Sequence, residues 1–249
     1  MDRWKFYDVT HRDHVICNPL GSAKLDELVS LLDLPVGARV LDIACGKAEL
    51  LLRLVERYGA TGDGVDLSPY CVADARALAQ QRVPGAGVRF HEQDGRDFAA
   101  PVGAFDLAMC VGASWTFGGH RGTLQALQRW VRPGGLIVVG EPFWRRSPAE
   151  ADLLAGGYTA TSFATHAENV AVGGALGLVP LYTIVSSEDD WDRYQGLRWR
   201  AAERYALAQP DDPDLPEILE RTRTGRDHYL CWERDTIGWA VYLFQAPAA

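Results

Sequence analysis

The chain predicts an open, mostly parallel α/β sheet with helices on both faces. Three observations carry this. Apolar, β-rich runs alternate with helical patterns from about residue 39 to 187. The run Val40-Leu41-Asp42-Ile43-Ala44-Cys45-Gly46-Lys47-Ala48-Glu49 ends a strand in an acid, turns through small residues and enters an apolar helical pattern. Such a turn brings backbone close to a nucleotide-like ligand. Acids also follow the next two strands, at Asp66 and Asp94.

Residues 1–21 read as a polar, aromatic leader with a turn at Asn18-Pro19-Leu20-Gly21. Ser22 is expected to cap a helix whose Leu25, Leu28, Leu31 and Leu32 share one face, stopped by Pro35 and Gly37. Strand one is expected near 39–44, a helix near 47–59 and strand two near 61–66. Ser68-Pro69 opens the next helix, serine as cap and proline in the first helical position. Strand three falls near 87–93, strand four near 105–111, a helix at about 120–131, and strand five at 136–140. A helical pattern at 160–177 precedes strand six near 179–186, and the last strand is Ile237–Phe244. About 50 residues separate these last two strands, far more than a usual connection. They carry Trp191, Tyr194, Trp199, Tyr205, Tyr229 and Trp232, with a helix start at Asp212-Pro213. The expected organisation is one domain: a leader and helix (1–35), a core (36–187), a helical lid over the substrate side (188–236) and a final strand (237–249).

The turn after strand one resembles that of class I S-adenosylmethionine (SAM)-dependent methyltransferases, in which an acid and one residue precede Gly-x-Gly-x-Gly. Asp42 and Gly46 match, while Ala44 and Ala48 stand at the flanking positions, where alanine permits close approach but tolerates positive φ poorly. Val131-Arg132-Pro133-Gly134-Gly135 resembles the family's turn before strand five, and Phe105–Gly112 its strand four. The likeness covers roughly 36–187 and returns at 237–244. Cys110–Trp115 and Gly140–Trp144 resemble a poorly characterised bacterial branch of small-molecule enzymes. The resemblance implies a seven-stranded Rossmann-like sheet with an antiparallel last strand, and a leader that covers bound SAM.

Acids at three successive strand tips suit a purine nucleoside that carries an α-amino acid and no phosphate, as SAM does. Ala44, Cys45 and Gly46 are expected beneath its methionine and ribose, and Asp42 toward its ammonium. Asp66 is expected to take the ribose hydroxyls, because a carboxylate offers two acceptor oxygens. Leu67 packs on the adenine, Asp94 accepts from the adenine amino group, and Gly95 donates its N–H to the ring. Val111 and Gly112 line the cofactor at the mouth of strand four. An NAD-dependent oxidoreductase is the alternative, but its Gly-x-Gly-x-x-Gly is met only by Ala44-x-Gly46-x-x-Glu49. A non-catalytic SAM-binding protein also stays open, since no acid–base pair stands out.

Glu141 and His120 are the candidate proton acceptors. Trp115 and Trp144 follow strands four and five, and an acid flanked by tryptophans suits an amine or another cation. Trp191 and Tyr194 are candidates for the lid's substrate face, although a spacing of three equally fits a packing stripe. His11 and His14 in the leader, and Arg145 and Arg146 as carboxylate partners, complete the set.

Composition bounds the acceptor. A formal charge of −8 argues against a nucleic-acid partner. Asn/Asp-Pro-Pro-Tyr is absent after strand four, where Val111-Gly112-Ala113-Ser114 stands. A small-molecule acceptor, methylated on N or O, is therefore expected. Five cysteines without Cys-x-x-Cys indicate neither a disulfide framework nor a zinc site. No apolar run approaches a membrane span, and the N-terminus shows no signal-peptide core. A monomer or homodimer in the cytoplasm is the expected state.

Overall fold

The computed structural model describes residues 1–248. The strands are β1 (Arg39–Ile43), β2 (Thr61–Asp66), β3 (Val88–Glu92), β4 (Phe105–Val111), β5 (Val131–Trp144), β6 (Val179–Val185) and β7 (Ile237–Gln245). They form one seven-stranded sheet in the order β3-β2-β1-β4-β5-β7-β6. The first five pair in parallel. β7 runs antiparallel to both β5 and β6. Strand order reverses between β1 and β4, which opens a crevice beyond the carboxyl ends of those strands.

Side-chain alternation divides the core. Val40, Leu107, Met109 and Val138 face one helical layer, and Leu41, Ala108, Cys110, Ile137 and Val139 the other. These positions are essentially solvent-free, worth about 1.5–3 kcal/mol for each large side chain. On the first face lie α2 (Ser22–Leu31), α3 (Glu49–Tyr58) and α4 (Pro69–Arg82), which follows α1 (Arg3–His11) of the leader in the chain. On the other lie α5 (His120–Trp130) and, after the short α6 (Glu150–Gly156), α7 (His166–Ala175). Ser68 caps α4 as its sequence requires, accepting from the Cys71 N–H.

Between β6 and β7 the chain forms α8 (Glu188–Ala208) and α9 (Leu215–His228). A five-residue π-helical stretch, Tyr229–Glu233, then runs into α10 (Arg234–Thr236). Phe6 and Val9 of α1 pack with Ala202 of α8 and Ile218 of α9, so leader and insert share a small core. Lys5 reinforces it, donating to Asp212 at 2.8 Å and Asp214 at 2.6 Å.

Several elements depart from expectation. Gly21, not Ser22, is the N-cap of α2, and the Ser22 hydroxyl instead accepts from Arg53 Nη2 at 2.9 Å. β5 begins at Val131 because that residue pairs with Phe105; the Pro-Gly-Gly turn is an irregularity within it, with Gly134 at φ 73°. The strand continues to Trp144 because Glu141–Trp144 pair with Ala240–Ile237. The pattern at 160–177 yields a helix only from His166, where Thr165 and Glu168 form a capping box. α9 starts at Leu215, and Asp212 is occupied by Lys5 and by the Tyr205 hydroxyl.

Candidate active site

A cavity of about 1190 Å³ lies at the carboxyl ends of the central strands, walled on the far side by α1, α8 and α9. It exceeds the usual volume for one small ligand, leaving room for two. Asp42, Ala44, Cys45, Gly46, Asp66, Leu67, Gly95, Val111 and Gly112 all line it.

The turn after β1 is built from left-handed residues: Ala44 at φ 56°, Gly46 at 54° and Ala48 at 62°. The two alanines thus hold the conformation expected of glycine, a strain of about 1–2 kcal/mol each of the kind found at functional sites. Asp66 fixes the turn. Its Oδ2 accepts from the Gly46 N–H and its Oδ1 from the Ser68 N–H, both at 2.8 Å. Each oxygen keeps further lone-pair capacity for a hydroxyl donor. Asp42 is buried, and desolvation, then the nearby Asp66, push its carboxyl up to about 8. A cation entering here would relieve both burdens. Leu67 offers exposed apolar surface to the same cavity. A side chain at Gly95 would meet Ile43 Cγ2 at 2.6 Å, so backbone alone forms that part of the wall.

The leader closes this half. Asn18 Nδ2 donates to the Val111 carbonyl at 3.2 Å, and a Cβ on Gly112 (φ 84°) would collide with Asn18 Oδ1. Lys47 Nζ donates to the carbonyls of His11 (3.1 Å) and Arg12 (3.3 Å). His11 Nε2 lies 2.9 Å from the Tyr194 hydroxyl and His14 Nε2 2.9 Å from the Tyr194 carbonyl, joining leader to α8. Burial holds both imidazoles below their ordinary range. His11 reaches the cavity wall; His14 does not.

Elsewhere on the cavity wall, Glu141 of β5 is buried, and its Oε2 has no hydrogen-bond partner. Desolvation pushes its carboxyl up to about 7, against a partial offset from Ser114. Trp191 and Tyr194 line the cavity from α8, and Trp115 stands exposed at its rim. Trp239 of β7 reaches the cavity across Gly140, where a Cβ would lie 2.6 Å from its Cζ2 and 2.7 Å from Val111 Cγ1.

Besides His14, the expected residues His120, Trp144, Asp94, Arg145 and Arg146 do not reach the cavity. His120 is buried away from it, its Nε2 3.0 Å from the Asn169 carbonyl and its ring 5.2 Å from that of Tyr242. Burial pushes it down to about 4, so it is a weak base as well as out of reach. Trp144 lies one layer back: its indole N–H donates to the Ala160 carbonyl at 3.0 Å, and it packs on Tyr158 and Phe163, which do line the cavity. Asp94 caps a short 3-10 turn and grips Arg96, with Nη2–Oδ2 at 2.6 Å, which holds its carboxyl below the ordinary range. Gln93 and Gly95 face the cavity in its stead. Arg145 and Arg146 also point elsewhere, toward Glu188 and Asp235. Reading by motif missed Asn18, Tyr158, Arg198 and Glu233, all on the cavity wall. Of these, Arg198 carried a signal: it follows Trp191 and Tyr194/Gln195 at helical spacing.

A reversed seventh strand beside five parallel ones, with a carboxylate at the β2 tip holding the β1 turn, defines the class of SAM-dependent methyltransferases. Residues 40–135 match the family model of a methyltransferase domain. The chain belongs to the SAM-dependent methyltransferases, and SAM is its cofactor. Over 99% of its length it is 31% identical to the uncharacterised protein YjhP of Escherichia coli K12, of which it covers 100%. A SAM-dependent methyltransferase of Thiobacillus denitrificans, solved with S-adenosylhomocysteine, is 33% identical with a TM-score of 0.91, over 99% of this chain and 100% of that one. Its counterpart from Geobacter sulfurreducens, also with S-adenosylhomocysteine, is 31% identical with a TM-score of 0.90, over 96% of this chain and 97% of that one. No helix among the described residues is long and apolar enough to cross a membrane.

Proposed function

We propose that the enzyme methylates a nitrogen or oxygen of a small-molecule acceptor, with Glu141 as proton acceptor. The observation that carries this is the free, buried Glu141 Oε2 on the wall of the cavity that Asp42 and Asp66 also line. Asp42 holds the ammonium of SAM, Asp66 its ribose hydroxyls, the Ala44–Gly46 backbone its central portion, and Leu67 and Gly95 its adenine. Val111 and Gly112 flank it. Bound SAM supplies an electrophilic methyl carbon on a sulfonium. The protein has to align the acceptor, exclude water and take one proton. The leader, α8 and α9 act as the cover over residues 36–187, with 188–236 as the lid. Trp191 and Tyr194 present its inner face, and Trp115 guards the rim.

Glu141 Oε2 accepts the proton that the acceptor's N–H or O–H gives up as the new bond to carbon forms. Only the ionised carboxylate can do so. With its carboxyl at about 7, turnover should rise as pH increases through neutrality and level off above it. Methyl-labelled SAM offered with fractionated metabolite extract supplies the assay. Glu141→Gln should lower turnover about 100-fold and remove the neutral inflection, with affinity for S-adenosylhomocysteine unchanged. A variant that keeps wild-type turnover and pH profile would remove Glu141 from the reaction.

A further inference from the structure

α8 turns Trp191, Tyr194, Gln195 and Arg198 toward the cavity along one face. Arg198 differs from the other arginines of the insert, of which Arg193 and Arg204 are exposed to solvent and the rest pair with carboxylates. Arg200 pairs with Asp13, Arg223 with Glu203 and Arg234 with Asp192. Among the described residues no carboxylate oxygen lies within 4.0 Å of the Arg198 guanidinium. Its Nη1 donates to the neutral Gln195 Oε1 at 3.1 Å, and its Nε is buried with no acceptor. Glu233, on the same wall, takes the Tyr158 hydroxyl at 3.4 Å instead. The positive charge reaches into the surroundings, helping to hold His11 and His14 neutral. Glu233 feels the same charge, which opposes the upward push of burial on its carboxyl, but makes no ion pair with it. Arg198 is half-buried, and an N–H sealed from water without an acceptor is costly, a cost that a ligand anion would reduce.

We infer that Arg198, with Gln195, binds a carboxylate group of the methyl acceptor. This rests on the reading of the cavity as an acceptor site and narrows it to small organic acids that also carry an N–H or O–H. The planar guanidinium presents parallel N–H donors matched to two carboxylate oxygens. Gln195 gives its oxygen to Arg198, which leaves its Nε2 as a further donor. One cation balances a single negative charge; the other Arg and Lys side chains on the cavity wall are engaged, Arg3 over the Trp4 ring, Lys47 with the His11 and Arg12 carbonyls, and Arg221 beside Glu217 and over the Phe6 ring, which disfavours a phosphate dianion. Arg198 acts from the insert while Glu141 acts from the sheet, so the acid end of the acceptor points to α8 and its methylated atom to β5.

The test separates metabolite extract on an anion exchanger at about pH 11, where amino groups are neutral and carboxylates keep their charge, and offers both fractions, returned to neutral pH, to the wild-type protein with methyl-labelled SAM. Label should enter the retained fraction and not the flow-through, and phosphatase treatment of the retained fraction should leave incorporation unchanged. Arg198→Met should raise the amount of retained fraction needed for half-maximal rate about tenfold or more, with binding of S-adenosylhomocysteine intact. Arg198→Lys should recover part of this loss. Label entering the flow-through, loss after phosphatase, or an unchanged Arg198→Met variant would overturn the assignment. No incorporation from either fraction, by protein that still binds S-adenosylhomocysteine, would instead overturn the acceptor reading beneath it.

Discussion

Removing the Asp66 carboxylate separates its two tasks. In the unliganded protein it accepts two backbone N–H groups, from Gly46 and Ser68, each at 2.8 Å. With cofactor bound it is proposed to accept two hydroxyls as well. Hydrogen bonds to a charged acceptor contribute about 1.5–3 kcal/mol each, so Asp66→Ala should weaken cofactor binding by about 3 kcal/mol or more, roughly 150-fold. One effect opposes this. Asp66 helps to raise the Asp42 carboxyl, and without it Asp42 ionises more readily and holds an ammonium better. The lower bound is therefore the figure to expect. Calorimetric titration with S-adenosylhomocysteine measures the loss, and thermal melting of the same sample shows whether the turn has held. Asp66→Asn keeps one acceptor oxygen and should fall between. If Asp66→Ala melts like the wild type and binds within about threefold of it, the carboxylate neither grips the ribose nor is needed by the turn.

Asp42→Asn should trade binding for stability. Its folded-state carboxyl is raised from 3.8 to about 8, so the favourable protonated state is complete in acid and is lost as pH rises through about 8. The variant should thus stabilise the unliganded protein most in mild alkali, by a few kcal/mol at most, while weakening cofactor binding; equal melting of the two proteins across this range would refute it. Gly112→Ala forces Asn18 aside at a left-handed position. It should lower affinity for S-adenosylhomocysteine about tenfold and expose the leader to protease, and an unaltered digestion pattern would count against the leader as a cover. Glu49 is buried and holds Arg53 Nε at 2.7 Å and Arg82 Nη1 at 2.5 Å, linking α3 to α4. Glu49→Gln should cost about 2 kcal/mol and lower the melting midpoint by about 4–8 °C, readable by calorimetry; a shift under about 1 °C would show that the network contributes little.

The parts of the fold legible in the sequence are those whose cause is local. The β1 turn, the Ser68-Pro69 helix start and the strand alternation each follow from residues a few positions apart. The leader helix was not legible, because Phe6 and Val9 gain their burial from Ala202 and Ile218, nearly 200 residues along the chain. The end of β5 likewise depends on Ile237–Ala240. The same division runs through the site. Asp42 and Asp66 stand at strand tips whatever the loops do. His120 lost its expected place to the Asn169 carbonyl, and Trp144 to the Ala160 carbonyl, partners that no short window of sequence contains. The Asp94–Arg96 pair spans only two residues and was open to view. Which arginine is free of a carboxylate depends on every acid in the fold; the sequence offered only the helical spacing of Arg198 from Trp191 and Tyr194 to set it apart from Arg145 and Arg146.

Gly140 carries a consequence for redesign. Because it has no side chain, the Trp239 indole can come within 2.6 Å of where a methyl would sit. A single carbon at this strand position would drive the indole inward and shrink the acceptor chamber. Trimming Trp239 would enlarge it. The added carbon would also lie 2.7 Å from Val111 Cγ1, on the flank of the proposed cofactor position. Trimming Trp239 alone is therefore the change that retunes which molecules are accepted while the donor half is left as it stands.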